Sequence, residues 1–209
     1  MRTYHTFAFA LFFVFVSSTI FVSSTGKSQS NTSAEIETVL RSAFGMTVES
    51  VKQFKPFSVT GDFNGDGVAD LLVIVRISGH RSELPKDVLA MNPFELNRKA
   101  TFPSDPAIEN RLAIAIVHSW KSPQPAAKFL LIGESPILIL DYERAVSGRA
   151  EDSKDLMSVM KRRGPRPKGQ KFPATARGDV VLLANQVGDN SLLYWNGRTY
   201  RWQDSGEGD

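Results

Sequence analysis

A short acidic loop between two apolar segments constrains this chain more than any other feature. Residues 62–70 read Asp-Phe-Asn-Gly-Asp-Gly-Val-Ala-Asp, so side-chain oxygens stand at alternate loop positions and at the last one. These oxygen-bearing residues are Asp62, Asn64, Asp66 and Asp70. Gly67 lies where a cation-binding loop must turn sharply. Segments 54–60 and 71–75 flank the loop, and the second is a continuous apolar run typical of a buried strand. We therefore expect a strand–loop–strand unit at the centre of the fold.

The spacing of the oxygens predicts a calcium site. Ca²⁺ prefers roughly six to eight oxygen ligands, and alternate residues of a tight loop can direct theirs at one centre. The predicted ligands are Asp62, Asn64, Asp66, the backbone carbonyl of Val68, and Asp70, completed by water. The alternative is an Asn-Gly or Asp-Gly turn whose carboxylates face water. Three crowded carboxylates repel one another without a cation, which favours the metal.

The loop differs from an EF-hand. Val73 occupies the position where that motif has a bidentate Glu, and the flanking segments have the pattern of strands rather than helices. Because the bidentate ligand is missing, we expect weak binding, with a Kd of about 10⁻⁴ to 10⁻³ M.

Residues 61–73 resemble the calcium-binding core of FG-GAP and VCBS-type repeats, including those of integrin α-subunit propellers. The resemblance implies the same ligand set as the spacing does. Those families repeat the unit to close a β-propeller of at least about four four-stranded blades, whereas this chain has one good copy. Residues 178–183 match only the beginning and the end of this unit and lack its Asn-Gly-Asp-Gly centre. We therefore expect a β-rich α+β fold with a mostly antiparallel sheet and an N-terminal helix packed on it, and not a full propeller.

The N-terminal segment 1–24 has the order of a secretory signal. Arg2 lies in a short polar start, residues 7–16 are apolar, and small residues follow. An uncleaved anchor is the alternative, but the apolar stretch 7–22 reaches only roughly 24 Å as a helix, against a hydrocarbon core of roughly 30 Å. We therefore expect cleavage, a disordered linker at 25–32, and a secreted or periplasmic protein.

Composition narrows the remaining choices. The chain has no cysteine, which excludes disulfides and thiolate metal sites, so stability must come from an ordinary apolar core. We expect one domain at 33–204 and a tail at 205–209. The charge is close to balanced once the signal is removed, so neither nucleic acid nor a membrane surface is an expected partner. The expected partners are calcium and a cell-envelope polysaccharide or protein.

Helical periodicity is clear at the start of the mature chain. Residues 32–44 place apolar side chains on one face, and Thr32 and Glu35 have capping-box spacing. Gly45 supplies the stop. The helix is expected to lie across the sheet that holds the loop. A second, short helix is predicted at 152–160.

Two segments rich in proline and charge predict long loops, at 78–110 with one helical turn near Val88, and at 161–177. The basic run 161–171 is expected to be solvated, because no aromatic residues interleave for stacking. Other predicted strands are 112–117, 128–132 and 137–140, the last two joined as a hairpin.

The C-terminal region predicts a second hairpin. Segments 192–195 and 198–202 flank Asn196 and Gly197, the dipeptide favoured in two-residue type I′ turns. This pattern places four large side chains on one face, namely Leu193, Trp195, Tyr200 and Trp202. That face is a candidate sugar-stacking platform, but aromatic residues dominate core burial, so we expect it to pack on the core. Residues 180–183 are expected to pair with the hairpin as a central strand.

No catalytic constellation emerges from the sequence. His118 and Ser119 are adjacent at a strand end, so their side chains point to opposite faces and do not form a triad with Asp141. The carboxylates of Glu134, Asp141 and Glu143 leave glycoside hydrolysis open. We therefore predict a calcium-binding domain with a structural or ligand-binding role. The alternatives are an extracytoplasmic carbohydrate-active enzyme and a carbohydrate-binding module.

Overall fold

One α-helix and ten strands are present in the computed structural model, which describes residues 32–78, 81–91, 111–132, 157–167, 169–184 and 190–204. The helix α1 (Ser33–Phe44) begins after Thr32, whose Oγ1 accepts a hydrogen bond from the backbone N–H of Glu35 at 3.3 Å. It ends at Gly45, whose backbone N–H donates to the carbonyl of Arg41. The helix predicted over 32–44 is confirmed.

The strands are β1 (Val48–Ser50), β2 (Ser58–Gly61), β3 (Asp70–Ile77), β4 (Val88–Met91), β5 (Arg111–His118), β6 (Ala127–Leu131), β7 (Met157–Met160), β8 (Val180–Ala184), β9 (Asn190–Trp195) and β10 (Tyr200–Asp204). Short 3₁₀ turns lie at Gly45–Thr47 and Arg81–Glu83.

The first sheet holds the acidic loop, residues 62–70, between β2 and β3. Its strand order is β1–β3–β5–β6–β4, and β2 pairs with β3 on the edge that β5 leaves free. All pairs are antiparallel except β4 with β6. Gly61 pairs with Asp70, so this pair closes the base of the loop.

The second sheet is antiparallel, with the order β10–β9–β8–β7, and β8 is a central strand as expected. In the hairpin Tyr200 pairs with Trp195, so the loop contains residues 196–199 rather than two residues. The two-residue turn was therefore wrong. Asn196 explains the longer loop, because its Oδ1 accepts from the backbone N–H groups of both Arg198 and Thr199 at 2.9 Å.

Because the register differs from the predicted one by an even number of residues, the faces are unchanged. Leu193 and Tyr200 are buried and Trp195 and Trp202 are half-buried, all against the cluster between the sheets. The aromatic face therefore packs on the core.

Apolar clusters separate the layers. Alternate residues of β3 pack with α1, namely Leu71, Val73, Val75 and Ile77. Leu72 and Ile74 pack in the cluster between the two sheets. A third cluster covers the far face of the second sheet beneath Phe172 and Ala176. Burial on both faces explains why β3 reads as a continuous apolar run.

The fold class is confirmed: the domain is β-rich, with an N-terminal helix packed against mostly antiparallel sheets. The described strands close neither a barrel nor a propeller. Among the same residues, no helix combines the length and apolar character needed to cross a bilayer.

The helix predicted at 152–160 is wrong over its described part, because Met157–Met160 is strand β7. Met157 and Val159 pack in the cluster between the sheets, whereas Met160 packs in the outer cluster. Pairing with β8 therefore overrides a spacing of apolar residues that also fits a helix. Residues 152–156 lie outside the described residues.

Near Val88 there is a single hydrogen-bonded turn, in which the backbone N–H of Val88 donates to the carbonyl of Pro85 at 3.1 Å. The strand β4, Val88–Met91, parallel to β6, was not predicted in this segment. Residues before Ser58 in the segment 54–60 form bends rather than strand. The hairpin partner at 137–140 lies outside the described residues. Over Lys128–Leu131, β6 is paired on both sides, by β5 and β4.

Candidate metal centre

Hydrogen bonds within the acidic loop hold its side-chain oxygens in place. Asp62 accepts from two backbone N–H groups, with Oδ1 at 2.7 Å from Gly65 and Oδ2 at 3.0 Å from Gly67. Asn64 Oδ1 accepts from the backbone N–H of Asp66 at 2.9 Å. Asp66 Oδ1 accepts from the backbone N–H of Val68 at 2.7 Å. The loop is thus a series of side-chain-closed turns of the kind that Asp and Asn favour.

Two glycines give the loop its path. Gly65 and Gly67 have φ of 82° and 85°, in the left-handed region that other residues rarely adopt. Gly65 also lies against the backbone of Arg177, where a Cβ would be closer than 3.0 Å to the carbonyl oxygen. Gly65 and Gly67 therefore allow the loop to turn, and Gly65 also allows it to pack against the backbone of Arg177, which precedes β8.

Asp70 closes the loop from inside the protein. It is fully buried, and its Oδ2 accepts from the backbone N–H groups of Phe63 at 2.8 Å and Asn64 at 3.2 Å. Its Oδ1 accepts from the backbone N–H of Ser119 at 2.9 Å, which ties the loop to the end of β5. Burial raises the pKa of Asp70 to about 6, against the three backbone donors that lower it.

A second buried carboxylate joins the loop to the other sheet. Asp179 Oδ2 accepts from the backbone N–H of Asp62 at 3.0 Å and from Lys161 Nζ at 2.7 Å. Its Oδ1 accepts from the backbone N–H of Arg162 at 3.0 Å. Asp179 immediately precedes β8, so it fixes the acidic loop and the turn after β7 to the same point.

His118 links the loop to the aromatic side chains between the sheets. Its Nδ1 lies 3.4 Å from Asn64 Nδ2, and its Nε2 lies 2.6 Å from Tyr200 Oη. Since the Asn64 amide is a donor, Nδ1 accepts and Nε2 carries the proton. Burial lowers the pKa of His118 to about 4, although Asp66 and Asp62 raise it. The rings of Phe129 and Trp195 pack beside the imidazole, with centroids at 4.9 and 5.8 Å.

Asn64 and Asp66 are joined by a hydrogen bond of 2.8 Å from Asn64 Nδ2 to Asp66 Oδ2, and Asp62 lies on the same loop, bonded to the backbone N–H groups of Gly65 and Gly67. Asp70 lies behind them, with its carboxylate directed at backbone N–H groups. Within the described residues no three His, Cys, Asp or Glu side chains are grouped so that they could hold a metal ion. Val68 is half-exposed on the loop.

The loop's chemistry nonetheless fits a hard cation. Its donors are carboxylate and amide oxygens, and each carboxylate oxygen has more than one acceptor direction. Asp70 accepts three hydrogen bonds and so retains one lone-pair direction. Calcium binding by the loop residues 62–70 is thus compatible with their donor atoms and stays a prediction.

Sequence reasoning missed Asp179 and His118 as parts of this site. One signal was available for Asp179: the echo of the loop's edges at 178–183 places a Gly-Asp pair before an apolar strand, as in Gly61-Asp62. The structure brings these two Gly-Asp pairs into contact. No comparable signal marks His118.

No protein-family model matches the chain, and no curated protein or solved structure matches it significantly.

Proposed function

We propose that the chain is an exported calcium-binding domain in which the ion has a structural role. The ion would be held by Asp62, Asn64, Asp66 and Asp70 and by the carbonyl of Val68. The observation that carries the proposal is the loop itself, in which glycines and side-chain-closed turns hold three oxygen-bearing side chains close together. A divalent cation would offset the repulsion among their charges.

The role is structural because the loop contacts both sheets. Asp70 bonds to Ser119 at the end of β5, Asp62 bonds to Asp179 at the start of β8, and Asn64 reaches β10 through His118. Fixing the loop would therefore also fix the junction of the two sheets.

Export follows from the signal-like segment 1–24, which lies outside the described residues. Outside the cytoplasm a weak site fills, because calcium there is about millimolar. With a Kd near 10⁻⁴ M and about 1 mM Ca²⁺, binding stabilises the folded state by about 1.4 kcal/mol. This corresponds to a rise in Tm of about 3–6 °C for a domain of this size.

Calorimetric titration with Ca²⁺ and thermal melts in CaCl₂, MgCl₂ and EGTA test the proposal. We expect binding heat and a rise in Tm with calcium, and a smaller effect with magnesium, which dehydrates reluctantly and demands stricter geometry. No heat together with identical melts in calcium and EGTA would refute it.

Asp66→Asn is the informative variant. The amide oxygen can still accept from the backbone N–H of Val68, but the exposed hydrogen bond from Asn64 Nδ2 is lost. Stability in EGTA should therefore fall by no more than about 1 kcal/mol, while the calcium-dependent rise shrinks. Glu49→Gln, an exposed carboxylate on β1, is the matched control and should keep the full rise. An equal loss in EGTA and calcium would mean that Asp66 acts in folding alone.

The carbohydrate alternatives gain no support from the described residues. The aromatic face proposed as a sugar platform packs between the sheets, with Tyr200 buried. The carboxylates Glu134, Asp141 and Glu143 lie outside the described residues.

A further inference from the structure

Cationic residues are concentrated between β7 and β8. Seven residues of the segment 161–177 are Lys or Arg, and none is Asp or Glu. The charge of the whole chain is close to balanced, with 25 Lys and Arg against 22 Asp and Glu, so this segment differs from the rest. We call it the basic strip, residues 161–177. The structure describes all of it except residue 168.

Contacts with the second sheet fix the basic strip. The side chain of Phe172 packs on the outer cluster, which covers the far face of that sheet. The backbone N–H of Arg177 donates to the carbonyl of Trp195 at 2.9 Å, and the backbone N–H of Arg162 donates to Asp179 Oδ1 at 3.0 Å. Because the backbone is held at both ends, binding a ligand through its side chains orders fewer groups and costs less entropy.

Six exposed cations of this region have no ion pair with a described carboxylate. Five belong to the basic strip, and the sixth lies in the loop of the C-terminal hairpin. They are Arg162, Arg163, Arg166, Lys171, Arg177 and Arg198. The Arg162 guanidinium donates to the carbonyl of Arg177, and a Cβ on Gly197 would lie 3.2 Å from Arg177 Nε. These contacts place Arg198 beside the basic strip, so the six cations belong to one surface.

Among the described residues, few carboxylates offset these charges. Asp179 is buried and paired with Lys161. Asp62 and Asp66 of the acidic loop line one cleft with the start of the basic strip, and Asp204 ends β10. Even with the last three counted, the six cations leave a net positive surface, whether or not the acidic loop holds a metal.

We infer that this surface binds a carboxylate-rich segment of a partner protein. Five of the six cations are arginines, and the planar guanidinium fork matches a carboxylate with two parallel hydrogen bonds. Aspartate and glutamate side chains of an extended segment can reach several such forks at once, so the contacts reinforce one another. Electrostatic attraction of this kind also raises the rate of association. The inference is independent of calcium in the acidic loop.

The aromatic and apolar content of the surface disfavours other anionic partners. Single-stranded nucleic acids stack their bases on exposed aromatic side chains, and sugar rings use the same faces. The one aromatic residue of the basic strip, Phe172, is instead covered by the Arg166 guanidinium at 5.5 Å. Exposed apolar side chains strengthen binding to an anionic lipid surface. The large ones exposed among the described residues lie outside the basic strip, namely Met46, Val68 and Leu89.

Calorimetric titration of the full mature chain in EGTA tests the inference. The probes are poly-L-glutamate, polygalacturonate, duplex DNA and phosphatidylglycerol vesicles, at equal concentrations of anionic groups. We expect poly-L-glutamate to bind most tightly, with an affinity that falls at least about tenfold between roughly 50 and 200 mM NaCl, because salt screens the charges and opposes counterion release. Tighter binding of another probe would overturn the choice of partner, and no binding of poly-L-glutamate would overturn the inference as a whole.

Arg163→Gln/Lys171→Gln should weaken poly-L-glutamate binding about tenfold, because two exposed ion pairs with the ligand are lost. Neither side chain has a hydrogen bond or ion pair with another described residue, so the fold should be retained. Arg41→Gln/Lys86→Gln is the matched control, since it removes an exposed arginine from α1 and an exposed lysine from the segment before β4. Its affinity should stay within about twofold of the wild type.

The contrast between the two double variants separates a local surface from a general effect of charge. An equal loss of affinity in both would overturn the surface in favour of the net charge of the protein. Unchanged affinity in Arg163→Gln/Lys171→Gln would also overturn it. Because every titration is made in EGTA, failure of this inference leaves the calcium proposal standing, and a Tm that does not respond to calcium leaves this inference standing.

Discussion

Asp62 and Asp179 are joined by a reciprocal pair of hydrogen bonds. The backbone N–H of Asp62 donates to Asp179 Oδ2 at 3.0 Å, and the backbone N–H of Asp179 donates to the carbonyl oxygen of Asp62 at 2.6 Å. The residues are 117 positions apart; Asp62 directly follows β2 and Asp179 directly precedes β8. This reciprocal pair therefore joins the acidic loop of the first sheet directly to the start of β8 in the second.

Replacing Asp179 with alanine should destabilise the domain by about 2–4 kcal/mol. The change removes the buried carboxylate of Asp179 and leaves the partly buried backbone N–H groups of Asp62 and Arg162 without their acceptor. Asp179→Asn retains one acceptor oxygen, so it should cost less. Urea unfolding of both variants measures the difference.

Lys161→Ala separates the ion pair from the backbone contacts. The lysine side chain is more than half exposed, so its pair with Asp179 should contribute no more than about 1 kcal/mol. A loss as large as that of Asp179→Ala would assign the stabilisation to the ion pair instead.

Gly178→Ala should cost far more than Gly67→Ala. A Cβ on Gly178 would lie closer than 3.0 Å to backbone atoms of Asp62 and Phe63, and neither backbone can move without opening the junction. Gly67 has open space around it, so only its left-handed φ opposes alanine, at about 1 kcal/mol. Thermal melts should show a Tm loss of about 2–4 °C for Gly67→Ala and at least three times that, or failure to fold, for Gly178→Ala. Equal losses would contradict the close approach of the two backbones.

Hydrophobic periodicity in the sequence correctly predicted the elements that are buried on one face throughout or on both faces. The one-sided helix at α1 and the doubly buried strands β3 and β5 were predicted because their periodicity admits one interpretation. The faces of the C-terminal hairpin were also predicted, since a shift of two residues leaves them unchanged. Strand β7 was missed because four residues with two methionines and a valine fit either period, and only pairing with β8 decides.

The candidate metal centre was likewise predicted from sequence only in part. The oxygen-bearing residues of the loop were recognised from spacing because they are neighbours in sequence. His118 is 54 positions from Asn64, and Asp179 is 117 from Asp62, so only the packing of the two sheets brings them together.

Because the pKa of Asp70 is raised in the folded state, we expect the free energy of unfolding to fall with rising pH when calcium is absent. Its folded-state pKa, about 6, lies above the ordinary 3.8, so the folded state holds the proton more tightly. Its contribution is therefore complete below about pH 4 and lost as pH rises through 6, by about 3 kcal/mol in all. Unfolding of the wild type and Asp70→Asn in EGTA should show a stability difference that is larger at pH 4 than at pH 7. A constant difference would mean that Asp70 has no raised pKa.

Because the pKa of His118 is lowered in the folded state, we expect its contribution to the free energy of unfolding to rise with pH. Its folded-state pKa, about 4, lies below the ordinary 6.5, because the imidazole is buried. Its contribution is complete above about pH 6.5 and lost as pH falls through 4, again by about 3 kcal/mol. Because the windows of His118 and Asp70 overlap, the wild-type stability in EGTA should vary little between pH 4 and 6. The His118→Gln variant isolates the histidine, since glutamine stays neutral and the wild type's advantage should grow from pH 4 to pH 7. If the advantage instead falls over that range, the imidazole is charged in the folded protein, and its bond to Tyr200 is not that of a neutral ring.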